Sequence, residues 1–264
     1  SNVPSAAAAA VGIHHFDITG LSTTTAAGSS LGFTLTARTV ANVVMSDYTG
    51  AVTFSATDPQ ATLPGPTTFT LTDGGVMSFS ASLYFRTAGG QRLAVADSLL
   101  PAASGLSAVV QVSSTAFNNE FRIAGMPPDG WVHADHPLSP TVEPVDQWGN
   151  RITTYDRAVV LTSDDSLATV SPSTVTFGPS HAGILTLTNG VIFRTTKLTT
   201  LSISESTGIG YGQAQVNTAP LSTFRFRVTG LPATLTAGTA ASMTAEALTP
   251  VGTRYTWYQG TVRS

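Results

Sequence analysis

Apolar and polar residues alternate along most of this chain. Leu31, Phe33, Leu35 and Ala37 share one parity, while Gly32, Thr34, Thr36 and Arg38 hold the other. The same period of two runs through Val52-Phe54-Ala56, Phe69-Leu71, Met77-Phe79-Ala81-Leu83-Phe85, Leu93-Val95 and Val110-Val112. Successive side chains of a strand point to opposite faces, so the pattern predicts antiparallel strands with one face buried. Asp-Pro, Gly-Pro and Gly-Gly pairs divide these runs, about seven of them, in the manner of a β-sandwich. No stretch keeps a helical period long enough to predict a helix.

The pattern also recurs at long range. Phe16-Asp17-Ile18-Thr19-Gly20-Leu21 returns as Phe121-Arg122-Ile123-Ala124-Gly125-Met126 and again as Phe226-Arg227-Val228-Thr229-Gly230-Leu231. Gly75-Val76 and Phe85-Arg86-Thr87 return as Gly183-Ile184 and Phe193-Arg194-Thr195. A spacing of roughly 100 residues exceeds a solenoid unit and suits a complete sandwich. The predicted organisation is a flexible lead-in at 1–12, full domains at 13–114 and 115–220, and an incomplete copy at 221–264. Leu185, Leu187, Asn189, Val191 and Phe193 stand where Met77, Phe79, Ala81, Leu83 and Phe85 stand in the first copy. One face is therefore buried in both copies, because a one-residue slip would invert every side chain.

Three local features set the second copy apart. Pro127-Pro128-Asp129-Gly130-Trp131 predicts a rigid, extended edge segment. His181 takes the place of Gly74 in a solvated, hairpin-like loop, and Gly208-Ile209-Gly210-Tyr211-Gly212 reads as a loose strand connection. The third copy holds equivalents of three strands: Phe226-Val228, Met243-Ala245-Ala247 and Tyr258-Gly260-Thr261-Val262. Such a fragment leaves unpaired edges and half a core. Either the chain is cut there, or another molecule supplies the missing strands by β-strand addition.

Composition narrows the function classes. A net charge of −3 with 10% charged residues leaves no basic patch for nucleic acid and no polybasic segment for a membrane surface. No run approaches the ~18 apolar residues of a membrane-spanning helix. The chain has no cysteine and no Asn-x-Ser/Thr sequon, which fits a bacterial surface or secreted protein better than a disulfide-stapled eukaryotic sandwich. Ser1 in place of Met marks a processed chain or a fragment, and Ala6 to Ala10 reads as linker.

Turn and strand motifs carry a family resemblance. In copy one they are Thr25-Ala26-Ala27-Gly28, Asp47-Tyr48-Thr49-Gly50-Ala51-Val52-Thr53-Phe54, Asp58-Pro59-Gln60-Ala61-Thr62-Leu63-Pro64, Phe69-Thr70-Leu71-Thr72-Asp73-Gly74-Gly75 and Arg86-Thr87-Ala88-Gly89-Gly90. Copy two adds Asp146-Gln147-Trp148-Gly149-Asn150 and Thr154-Tyr155, and copy three adds Thr236-Ala237-Gly238 and Val251-Gly252-Thr253-Arg254. From residue 13 onward the chain resembles the Ig-like repeats of large bacterial surface and secreted proteins. Copy one departs from the family turn, with Val40-Ala41-Asn42 where Gly-Asn is expected. The resemblance implies an all-β chain of tandem immunoglobulin-like β-sandwich domains. The short linkers Thr115-Ala116 and Ala219-Pro220-Leu221 predict their arrangement as an elongated rod.

The search for chemistry yields few candidates. His133, Asp135 and His136 place three metal-ligand types within four residues, in a segment that also reads as an exposed turn. His14, His15 and Asp17 have the same character. Asp58, Asp73 and Asp97, with Asp164, Asp165 and Glu205, are candidates for Ca²⁺ at domain junctions, although no Asp-x-Asp-x-Asp run accompanies them and turn-capping is the simpler role. Trp131 and Trp148 are the candidate ligand contacts, with Trp148 beside a turn glycine the better placed for a sugar or protein surface. Tyr48, Tyr155 and Tyr258 recur at one repeat position, as fold residues do. No nucleophile elbow or phosphate loop is present, so no catalytic or cofactor-binding residue is predicted. The expected role is a non-catalytic structural module of a bacterial cell-surface or secreted protein, a stalk, spacer or assembly unit. Its expected partners are neighbouring Ig-like domains of the same or another chain. The alternatives are an adhesion or carbohydrate-binding module contacting surface glycans or proteins, a self-assembling fibre or surface-layer subunit completed by strand exchange, and an accessory segment of a larger enzyme.

Overall fold

The computed structural model describes residues 12–258. Most of the predicted lead-in, and the third copy's Gly260-Thr261-Val262, lie outside the described residues. The chain divides into two units: one runs through Ala116 and includes the turn Gln147–Asn150, and the other takes Phe117–Asp146 and the chain from Arg151 onward.

Unit 1 contains β1 (His15–Thr19), β2 (Thr24–Ala26), β3 (Ser30–Arg38), β4 (Ala51–Ala56), β5 (Thr67–Thr68), β6 (Val76–Tyr84), β7 (Gly89–Gln91), β8 (Leu93–Asp97), β9 (Ser104–Leu106) and β10 (Val110–Ser113). A seven-stranded sheet has the order β5-β4-β8-β9-β1-β3-β6, and a three-stranded sheet has the order β2-β10-β7. Both contribute to one apolar core. Leu31, Phe33, Leu35 and Ala37 of β3 are all buried in it, as the alternation predicts, together with Phe16, Tyr48, Phe69, Val110 and Val112.

Unit 2 contains β11 (Glu120–Ala124), β12 (Trp131–His133), β13 (Pro137–Leu138), β14 (Thr141–Val145), β15 (Ala158–Ser163), β16 (Thr169–Val170), β17 (Thr174–Thr176), β18 (Leu185–Thr186), β19 (Val191–Ile192), β20 (Leu198–Glu205), β21 (Tyr211–Ala219), β22 (Arg225–Thr229) and β23 (Thr244–Leu248). Its large sheet runs β17-β15-β20-β21-β11-β14-β18, with β12 also on β21. A three-stranded sheet β13-β19-β16 and the hairpin β22-β23 complete it. The core again draws on both larger sheets, through Phe121, Val142, Tyr155, Leu161, Phe177, Val191, Phe193 and Leu201.

The repeated sequence folds in one register. Phe16 pairs with Ala37, Phe121 with Pro144 and Phe226 with Ala247. Each of these phenylalanines meets a tyrosine edge-to-face: Tyr48 at 5.5 Å, Tyr155 at 5.5 Å and Tyr258 at 5.0 Å between centroids. A cross-strand ion pair, Arg122–Glu143 and Arg227–Glu246, also holds one position in two copies. The difference is exposure: Phe16 and Phe121 are 3% exposed, whereas Phe226 is 48% exposed.

Several local expectations are corrected. The alternation of Met77 to Phe85 breaks at Ala81, whose φ is 49°, and the copy-two counterpart Asn189 has φ 51°. This irregularity shifts the β3–β6 register and separates β18 from β19. Pro127-Pro128-Asp129-Gly130 is a turn closed by Gly130 N–H donating to the Pro127 carbonyl at 3.0 Å, not an extended edge. Proline followed by Asp-Gly is turn chemistry, and β12 begins only at Trp131. His181 stands at the place of Asp73 rather than Gly74: both cap the first turn of a short 3₁₀ helix, His181 Nδ1 accepting from Gly178 N–H at 2.9 Å and Asp73 from Thr70 N–H at 2.6 Å. The glycine run is no loose connection either. A Cβ at Gly212 would lie 2.3 Å from the Phe121 carbonyl oxygen, so glycine is what lets β21 lie against β11.

Candidate functional site

Two of the buried carboxylates in each unit occupy matching places, Asp58 and Asp97 in one and Asp165 and Glu205 in the other, all at most 6% exposed. Asp58 accepts from the backbone N–H of Gln60 (2.8 Å), Arg86 (2.5 Å) and Thr87 (3.0 Å) and from the Thr87 hydroxyl (2.6 Å). Asp165 repeats this with Leu167 (3.0 Å), Arg194 (2.6 Å), Thr195 (2.9 Å) and the Thr195 hydroxyl. The arginine that follows completes the clip, Arg86 donating to the Gln60 carbonyl and Arg194 to the Leu167 carbonyl. Burial pushes both carboxyls up, but these donors outweigh it and hold them below the usual carboxylate range.

The second carboxylate in each unit receives the recurring tyrosine. Tyr48 donates to Asp97 at 2.5 Å, and Leu99 and Leu100 N–H donate to the same carboxylate, both at 2.8 Å. Tyr155 donates to Glu205 at 2.6 Å, joined by Arg157 at 3.0 Å and the Thr207 hydroxyl at 2.9 Å. Burial raises both acids and their donors lower them further, so the net direction is down. Burial, then the neighbouring carboxylate, pushes both tyrosines well above the ordinary phenol range. General acid catalysis near neutral pH needs a carboxyl raised toward 7, and these four are shifted the opposite way. Their donors tie strand ends together across the core. Alternation exposes no such role, but a carboxylate at a strand end, repeated in both copies, was the available signal.

The histidine cluster separates into a pair and an ion pair. His133 Nε2 lies 3.1 Å from His136 Nδ1, with the rings T-shaped at 4.7 Å. Asp135 turns away and meets Arg194 at 3.1 Å. Phe224 and Trp257 stand edge-on to the two imidazoles at 6.2 and 6.4 Å. Burial, then His133, pulls His136 below the ordinary imidazole range. His14 and His15 also meet through Nδ1 atoms at 3.0 Å, and Asp17 pairs chiefly with Arg38 at 2.7 Å. Among the described residues no group of three His, Cys, Asp or Glu is gathered as a metal cage. Asp73 serves its 3₁₀ cap, and Asp164 pairs with Lys197 at 3.3 Å.

Each of the three tryptophans is half-buried. Trp148, expected as an exposed contact, packs against the core of unit 1 with the Arg86 guanidinium 4.6 Å above its ring. A Cβ on Gly28 would come within 2.9 Å of the indole, so that glycine makes room for it. The ring is therefore partly covered by unit 1 instead of standing fully exposed. Trp131 lies on β12, and Trp257 packs against the core of unit 2. An open trough of about 430 Å³ on β4, β8 and β9 is lined by small and apolar residues and carries no titratable side chain. No helix among the described residues is long and apolar enough to cross a membrane.

No protein-family model matches the chain, and no curated protein matches it in sequence. Among solved structures, the Escherichia coli adhesin FdeC aligns over 80% of this chain and 66% of its own, at 16% identity and a TM-score of 0.38. The Yersinia pseudotuberculosis adhesin InvE aligns over 77% and 58%, at 14% identity and 0.33. Trypsin-activated alpha-2-macroglobulin from Escherichia coli aligns over 83% and 19%, at 12% identity and 0.40. The chain spans less than two thirds of each of these proteins.

Proposed function

We propose that the chain is a non-catalytic structural module of a bacterial cell-surface or secreted protein, a spacer built from tandem Ig-like sandwiches arranged as a rod. The observation that carries this reading is the duplication of the buried carboxylate clips. Asp58 and Asp165 have matching partners in two different sequence contexts, and Asp97 and Glu205 share their tyrosine donor. Chemistry kept alike in successive copies serves the scaffold, whereas a reaction needs one special site. Each clip also binds a loop to a strand end through charge-assisted bonds, about twice as strong as neutral ones, which suits a chain under tension. Small-angle X-ray scattering tests the rod: the expected profile has an elongated cross-section region and a maximum dimension well beyond that of a sphere of equal mass, and a globular profile rejects it.

A second reading, the assembly subunit, is favoured by the hairpin β22-β23. Phe226 and Val228 on it, and Met243 just before β23, are each about half exposed, whereas Phe16 and Phe121 at the register of Phe226 are buried. Sedimentation velocity over a hundredfold concentration range separates the two readings. Reversible growth supports assembly, and a constant coefficient supports the spacer.

A further inference from the structure

The turn after β12 carries a histidine pair that the fold does not require. In copy one the same turn is closed by Ser29 N–H donating to the Ala26 carbonyl at 3.1 Å, and in copy two by His136 N–H donating to the His133 carbonyl at 3.2 Å. Its left-handed position is Gly28 (φ 76°) in one and Asp135 (φ 67°) in the other. Alanine and serine therefore suffice where the second copy places two imidazoles.

Those imidazoles are oriented as ligands are. His133 Nδ1–H donates to the Ala134 carbonyl at 2.9 Å, which fixes the tautomer and leaves Nε2 as a lone pair. His136 Nδ1 sits 3.1 Å from that lone pair. Two nitrogens so spaced, each 2.0–2.1 Å from one ion, subtend about 98° at it, close to the right angle of tetragonal coordination. The backbone beneath is anchored, with His133 paired to Ala219 on β21 and Ala134 N–H donating to the Ala219 carbonyl at 2.8 Å. Phe224 and Trp257 shield the pair without offering a competing charge. Asp135, the third residue of the sequence cluster, is held by Arg194 and is not a ligand in this arrangement.

We infer that His133 and His136 form a two-histidine chelate for a late first-row divalent ion, Cu²⁺ before Ni²⁺ or Zn²⁺, with water in the remaining positions. Binding moves the His136 proton from Nδ1 to Nε2 and replaces the histidine–histidine hydrogen bond by two metal–nitrogen bonds. Mg²⁺ and Ca²⁺, which take oxygen ligands, do not bind here.

Titration with CuCl₂ tests this by two readouts, electron paramagnetic resonance of the bound ion and quenching of tryptophan emission, since Trp257 flanks His136. The expected wild-type result is an axial spectrum with nitrogen hyperfine structure from two imidazoles, together with saturable quenching. His133→Gln and His136→Gln each weaken binding at least about tenfold. A His14→Gln/His15→Gln variant retains the signal, which separates this pair from the other. Circular dichroism in EDTA confirms that each variant is folded. Wild-type affinity in either single variant, or equal quenching by Ca²⁺, overturns the assignment.

Discussion

At the scale of single residues, this molecule is organised by acids it has buried. Asp165 receives three backbone N–H groups and one hydroxyl, and an asparagine there keeps the shape while replacing an accepting oxygen with a donor. At least one N–H is then buried without a partner. Asp165→Asn is expected to cost about 2–4 kcal/mol, and Thr195→Val about 1 kcal/mol. Urea midpoints at neutral pH measure both, and an Asp165→Asn midpoint equal to wild type would show the clip to be ornamental. The pH dependence has a definite sign. Asp58, Asp97, Asp165 and Glu205 titrate lower folded than unfolded, so their contribution is fully present above about pH 4–5 and declines as pH falls through the lowered folded values. Tyr48 and Tyr155 are raised, so theirs is present below about pH 10 and declines above it. Stability is expected to be flat between these edges. Tyr48→Phe removes the alkaline decline that Tyr48 contributes and, by taking a donor from Asp97, shallows the acid one; thermal melts from pH 3 to 11 read both.

At the scale of elements, the strands were legible and the departures from strand were not. The parity of Leu31 to Ala37 predicted the buried face of β3, because that face is set by one-residue alternation alone. Ala81 gave no warning of its left-handed backbone, since alanine has no side-chain preference for it, whereas Asn189 at the matching place does. Trp148 misled for a related reason: a large aromatic beside a turn glycine looks exposed until the ring's own packing against Gly28 and Arg86 is seen. The histidine cluster was half legible, since spacing brought out His133 and His136 but could not show Asp135 turning to Arg194. Gly212, expected in a loose connection, instead joins elements, and so does Gly105. A Cβ on Gly105 would stand 2.2 Å from the Phe16 carbonyl oxygen, and one on Gly212 2.3 Å from that of Phe121. Gly105→Ala and Gly212→Ala are each expected to destabilise by about 3 kcal/mol through forced separation of a parallel strand pair, against 1 kcal/mol or so for Gly149→Ala, where the backbone is left-handed but the space is open. Chemical denaturation ranks the three, and the reverse order would refute the close-approach account.

At the scale of the whole molecule, the question is whether the clips act on one folding unit or two. Each unit has its own apolar core and its own copy of the two carboxylate clips. A domain of roughly 100 residues buries enough surface to fold by itself. If the units unfold separately, a change at Asp58 should move only the transition of unit 1. The tryptophans make this visible, because Trp148 packs on the first core while Trp257 packs on the second and Trp131 lies on β12 of unit 2. In a Trp148→Phe background, emission reports unit 2 alone. Asp58→Asn is then expected to leave the fluorescence transition in place while lowering part of the far-ultraviolet circular dichroism transition, splitting two curves that coincide in the parent. Asp165→Asn in the same background should move the fluorescence curve and leave a more stable phase in the dichroism. A spacer benefits from such independence, since loss of one unit under stress leaves the next intact. Should Asp58→Asn displace the Trp131 and Trp257 signal as far as the dichroism, the chain unfolds as one cooperative block, and the reading of successive self-sufficient modules fails with it.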